Sequence, residues 1–166
     1  ASELNAIGIY EVVFDNSNKK DEQWYINTNQ SYDFDGNEVT ASYGAATPKA
    51  HADTLFTAQD ETDGKGTEGE VATRGLKYNL IQTLKSQVAG ILSNTDWYIT
   101  RNAEKSTAIP SSISTHRDAV RTKQAEMETQ ITNASNTPAL ETLYNYTTDS
   151  DGVQSRPLGE LPILES

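Results

Sequence analysis

The chain has 166 residues, 35% of them hydrophobic and 8% aromatic, and a formal net charge of −11. That length predicts one ordinary domain, or a small domain with an appendage, with a modest buried core. The charge argues against nucleic acid, which needs a basic stripe to neutralise phosphates, and against an anionic membrane surface. There is no cysteine, so neither a disulfide frame nor a thiolate metal site is available. Residues 1–70 carry a net charge of −10, residues 71–147 +2 and residues 148–166 −3. The acidity thus belongs to the front and the tail. No apolar run reaches the length of a membrane span, and no basic-plus-apolar leader opens the chain. Ala1-Ser2 fits a start methionine trimmed before a small residue, and the expectation is a soluble protein made in a cytoplasm.

The run from Ile7 to Phe14 is β-branched and aromatic and stops at the turn-rich Asp15-Asn16-Ser17-Asn18, which predicts a strand. Gln23-Trp24-Tyr25-Ile26-Asn27 reads as a second strand, joined to the first by a long hairpin loop. Ser31 to Tyr43 alternates on both sides of Asp35-Gly36, a pair that tolerates the positive φ of a tight hairpin turn. Three or four antiparallel strands are therefore expected within residues 1–58, with a sheet face that needs covering. Residues 50–57 fit either a helical turn or a strand bearing Leu55 and Phe56. Residues 59–70 have no apolar side chain apart from glycine and read as an acidic, Gly-rich linker.

From Val71 the period changes. Leu76, Leu80, Ile81, Leu84, Val88, Ile91 and Leu92 recur every three or four residues, on one face of a helix of about twenty residues. At Asn94-Thr95-Asp96-Trp97-Tyr98 that helix should end and a short one begin, capped by Asn94 or Thr95, with Asp96 favouring the positive first turn. Trp97 and Arg101 stack at i,i+4, Arg101 and Glu104 can pair, and Pro110 ends the short helix. Trp97 is expected to plug the corner, with Trp97→Ala costing about 3–5 kcal/mol. Trp97, Tyr98, Arg101 and Pro110 are thus read as structural. Ser111 or Ser112 should cap a third helix whose stripe is Ile113, His116, Val120, Met127 and Ile131, with Arg117, Arg121, Lys123, Glu126 and Glu128 on a solvated face. Thr137-Pro138 reads as a cap and first turn, opening a short helix with Leu140, Leu143 and Tyr144. The helical region closes near residue 147. Residues 148–166 form an extended tail whose order would require a neighbour to hold it.

The chemical motifs are weak. Gly64-Lys65-Gly66-Thr67-Glu68-Gly69 matches a dinucleotide fingerprint in letters only, because no strand delivers it and five surrounding carboxylates repel a pyrophosphate. Asp33, Asp35 and Asn37 alternate like calcium ligands, but the glycine and the closing glutamate are misplaced, and a hairpin turn accounts for them. His51 and His116 each stand alone. No cofactor, metal or catalytic residue is assigned, and the expectation is a protein that is not an enzyme. The overall expectation is an α+β chain: a small N-terminal antiparallel sheet, three or four helices, and an extended tail. Partner contact is expected at Trp24 and Tyr25 on the sheet and at Leu158, Leu161, Ile163 and Leu164 in the tail.

Leu92-Ser93-Asn94-Thr95-Asp96-Trp97-Tyr98, Arg101, Ala108-Ile109-Pro110 and His116-Arg117-Asp118-Ala119-Val120-Arg121, in this order, carry a resemblance. Over about residues 71–131 the chain resembles the tail-fibre assembly and tail assembly chaperone proteins of tailed bacteriophages. Members often end soon after the third helix with Trp-Pro, whereas this chain runs on without one. The resemblance implies a non-enzymatic protein acting through protein–protein binding, made in a host bacterial cytoplasm. Its partners would be other phage tail or fibre proteins or further copies of itself, with no nucleic acid and no membrane. The role expected is a structural part of the virion in tail, baseplate or fibre attachment; the alternative, which the resemblance implies more directly, is a transient fibre-assembly chaperone absent from the mature particle.

Overall fold

The computed structural model describes residues 2–28 and 30–164, with the side chain of Ser2 left out. The fold is α+β, with small sheets mostly in the N-terminal half and six helices among the described residues. The chain divides into two compact units, residues 1–49 and 50–166. The division falls at Lys49/Ala50, ahead of the linker expected at 59–70, and residues 59–70 belong to the second unit.

In the first unit a single helical turn, α1 (Ser2–Asn5), precedes β1 (Val12–Asp15), β2 (Tyr25–Ile26), β3 (Ser31–Phe34), β4 (Val39–Ser42) and β5 (Thr47–Pro48). β3 and β4 form the expected hairpin. Gly36 takes φ +97°, and the Asp35 carboxylate accepts the amides of Asn37 and Glu38 at 2.8 and 3.0 Å. Those bonds hold the Asp35 carboxyl below its ordinary pKa, the Glu38 amide having the larger effect. The all-antiparallel expectation fails at β1. It pairs with β4, in parallel, Val12 opposite Val39 and Asp15 opposite Ser42, to give the order β1-β4-β3. β2 pairs instead with β5. The long polar connector after β1 thus leads out of the sheet, and no hairpin joins the first two strands.

The second unit opens with β6 (Thr54–Leu55), α2 (Ala58–Thr62) and β7 (Val71–Thr73), β6 pairing antiparallel with β7. The acidic stretch is locally ordered by its own polar groups. Thr57 and Asp60 form a reciprocal capping box on α2, and Lys65 bridges Asp60 and Asp63 at 3.1 and 3.0 Å. The Thr57 amide and hydroxyl, then Lys65, hold the Asp60 carboxyl down to about 2. Asp53 accepts the Gly75 amide at 2.8 Å and an Arg74 guanidinium N–H at 2.6 Å, fixing the entry to the next helix. A Cβ on Gly75 would collide with the backbone of Ala52, so this close approach needs glycine.

α3 (Leu76–Ser93), α4 (Asp96–Lys105), α5 (Ser111–Asn133) and α6 (Thr137–Tyr144) follow, then the short hairpin of β8 (Thr147–Thr148) and β9 (Gln154–Ser155). α3 and α5 pack antiparallel: the Lys77 ammonium donates to the Thr132 carbonyl at one end, and Arg117 reaches the Leu92 carbonyl at the other. The expected stripes form the core. Leu84 and Val88 of α3 are buried, as are Ile113, His116, Val120, Met127 and Ile131 of α5. Leu140 of α6 and Leu158 join the buried set. The caps of α5 and α6 differ from expectation. Asn136 caps α6, its side chain accepting the Ala139 amide, and α5 starts after Pro110 without a serine cap.

Candidate protein-binding surfaces

The β1-β4-β3 sheet is amphipathic but lies open. Registry places Val12, Val39 and Phe34 in one row and Phe14, Ala41 and Tyr32 in the next, so alternation sets all six on one face. The Tyr10 ring lies 4.4 Å from that of Phe34 and extends the same face. Only Ala41 there is buried; Val12, Phe14, Tyr32 and Phe34 are 44, 62, 65 and 50% exposed. The opposite face carries Val13, Asp15, Asp33 and Thr40, with the Ser31 and Ser42 hydroxyls 3.1 Å apart. Continuing the alternation puts Glu11 and Glu38 on that acidic side as well. A contiguous exposed apolar surface of this kind marks an interaction site more often than scattered surface hydrophobes do.

Trp24 and Tyr25, expected at such a surface, are instead buried, 2 and 3% exposed. The β2–β5 pairing explains this. The chain turns at Asp21, which accepts the amides of Trp24 and Tyr25, and the Lys49 amide returns to the Trp24 carbonyl. Lys20 stands over the Tyr25 ring at 4.5 Å, and Lys49 donates to the Glu22 carbonyl at 2.6 Å. These rings are core, while Val12, Phe14, Tyr32 and Phe34 hold the exposed positions. Their alternation was visible in sequence. What hid their role was the expectation that Trp24 and Tyr25 would supply the exposed aromatics of the sheet.

At the α3–α4 corner the plug is polar. Arg117 of α5, expected on a solvated face, is buried, and its guanidinium donates to the Leu92 carbonyl and the Thr95 hydroxyl at 2.7 Å each. It also pairs with Asp96 at 2.9 Å. The Thr95 hydroxyl donates to Leu92 in turn, at 3.0 Å, instead of capping α4. A planar fork that meets a helix C-terminal carbonyl, a hydroxyl and a carboxylate suits arginine and not lysine. Trp97 is displaced from the core role and is 51% exposed. Its ring stacks on Tyr98 at 3.8 Å between centroids, and Arg101 lies over both rings at 4.7 and 5.5 Å. Arg101 makes no ion pair with Glu104 or any other described residue, and its buried Nε lacks a hydrogen-bond partner. α4 ends before Pro110, at Ser106, whose φ of +53° is the left-handed stop, and Asn102 donates to the Thr107 carbonyl beyond it.

The tail is held by its own unit. Leu158 is 1% exposed, so it is a core residue and not a partner contact, and its amide donates to the Leu143 carbonyl at 3.0 Å. Arg156 and the Tyr146 hydroxyl both bind the Glu160 carboxylate, and Arg156 also lies over the Tyr144 and Tyr146 rings. Leu161 is partly buried and lines a groove of about 480 Å³ with Gln87, Ile91, Met127 and Arg156. Ile163 and Leu164 stay exposed beside a smaller hollow edged by His116 and Pro162. Of the six expected contact residues, these two are available to a partner.

No group of three or more His, Cys, Asp or Glu side chains among the described residues is arranged to hold a metal ion. No helix among them is long and apolar enough to cross a membrane. Comparison with protein families, with characterised proteins and with solved structures finds no match to this chain.

Proposed function

We propose that the chain is a non-enzymatic structural component of a tailed-phage virion, in the tail, baseplate or fibre attachment, that acts by binding other proteins. The phage assignment is supported by the resemblance over residues 71–131. The binding role is carried by the open apolar face of Val12, Phe14, Tyr32 and Phe34 on an otherwise acidic chain. The exposed Trp97 with Arg101 adds a smaller surface of residue types that anchor interfaces, and Ile163 with Leu164 a small exposed apolar one. The alternative is a transient fibre-assembly chaperone, to which the resemblance points more directly. Quantitative mass spectrometry of gradient-purified particles separates the two. A fixed ratio of this chain to the major tail proteins is expected of a virion part. Absence from particles, with abundance in the infected-cell lysate, would replace that role by the chaperone.

A further inference from the structure

The charge distribution across the β1-β4-β3 sheet narrows what covers its open face. Val12, Phe14, Tyr32, Phe34, Val39 and Ala41 lie on that face, and none is charged at neutral pH. The strand carboxylates Asp15 and Asp33 lie on the other side, with Glu11 and Glu38 following by alternation. A cationic partner would find nothing to pair with here, and a charged group placed on this face would be buried unpaired. The chemistry that fits is a second neutral, aromatic and aliphatic surface of similar size.

We propose that the occupant is the same face of a second copy, giving a two-fold, sheet-on-sheet dimer. Two copies that each carry −11 repel through most of their surfaces, and this uncharged face is where they can meet with their acids turned outward. A two-fold axis sets like patches against each other, so Phe14 and Tyr32 of one copy meet the aromatic rows of the other in offset or edge-to-face contact. The first unit also lacks a second layer. Among its described residues the buried hydrophobic ones are Trp24, Tyr25 and Ala41, too few for a sheet that stands alone. A facing sheet at about 10 Å supplies that layer. The inference rests on this unit's own geometry and is independent of the phage reading, because self-association and particle composition are measured separately.

Sedimentation velocity of the purified full-length chain, across a wide concentration range, tests it. The wild-type chain should shift from monomer to dimer as concentration rises, and so should Asp33→Asn on the acidic face and Trp97→Ala on α4. The double variant Phe14→Asp/Phe34→Asp should stay monomeric throughout with an unchanged far-ultraviolet circular dichroism spectrum. If that variant loses its folded spectrum, Tyr32→Lys, at the most exposed position of the face, takes its place and should also be monomeric. A wild-type chain that is monomeric at every concentration, or an oligomer that persists in the face variants, overturns the proposal.

Discussion

In residues 50–166 the apolar stripes of two helices face each other and leave solvent; in residues 1–49 comparable side chains on a three-stranded sheet remain in it. Both regions have the periodicity their secondary structure requires. The difference is the number of layers. An α-helix with one apolar stripe is complete once it meets another such stripe, and α3 and α5 meet. A sheet with one apolar face needs a second layer, and the described residues of the first unit contribute three buried hydrophobic side chains. Amphipathic patterning therefore says which face will be buried, not which molecule buries it.

The comparison can be broken most severely at the small core of the first unit. Trp24→Ala should cost about 3–5 kcal/mol, as aromatic core truncations do, and with so little else buried the β1-β4-β3 sheet should unfold while α3 and α5 stay protected from amide exchange. In the second unit Leu158→Ala should cost about 2–5 kcal/mol in denaturant unfolding. A cost near zero would mean that the tail is not part of that core. Arg117→Ala should cost about 2 kcal/mol, because it removes the charge-assisted hydrogen bonds of the guanidinium to the Leu92 carbonyl and the Thr95 hydroxyl. Arg117→Lys should recover little of it, since one ammonium does not reproduce the fork. Trp97→Ala should cost about 1 kcal/mol or less, the scale of an exposed cation–π contact. A loss several times larger would restore the aromatic to the corner.

The smallest effect is a local one in acid. The Asp60 pKa is depressed from 3.8 to about 2, so its contribution is present above the unfolded value and is lost as pH falls through about 2. Asp53 is lowered too, first by the Gly75 amide and then by Arg74, and acts in the same direction. Carboxyl NMR titration should show both ionised below pH 3.8, with the Thr57 cap loosening at the bottom of that range. Titration of Asp60 near its ordinary value would mean that the capping box does not persist in solution.

Much of the helical unit was legible in sequence because its stripes at three- and four-residue spacing are local. Leu84, Val88, Val120, Met127 and Ile131 are buried as the spacing predicts. The β3–β4 hairpin was legible for the same reason, from Asp35-Gly36. What was not legible depends on distant partners. The parallel pairing of β1 with β4 joins residues more than twenty apart, and nothing within Val12–Asp15 selects it. Arg117 reads as a surface charge until Thr95 and Asp96 stand opposite it. Trp97 was placed inside on its size, yet the corner was already filled by that guanidinium. Trp24 reads as a contact on a sheet face that needs covering, and Leu158 as one in a tail that a neighbour holds, whereas each is folded back into its own unit.

Hydrogen exchange followed by mass spectrometry, on the full chain at low and high concentration, tests the central claim that the sheet lacks a layer that the helices already have. Protection of α3 and α5 should be strong and independent of concentration, while amides of β1, β3 and β4 should exchange quickly when dilute and slow markedly when concentrated. Sheet amides as protected as those of α5 at every concentration would contradict it, because the sheet would then be complete without a partner.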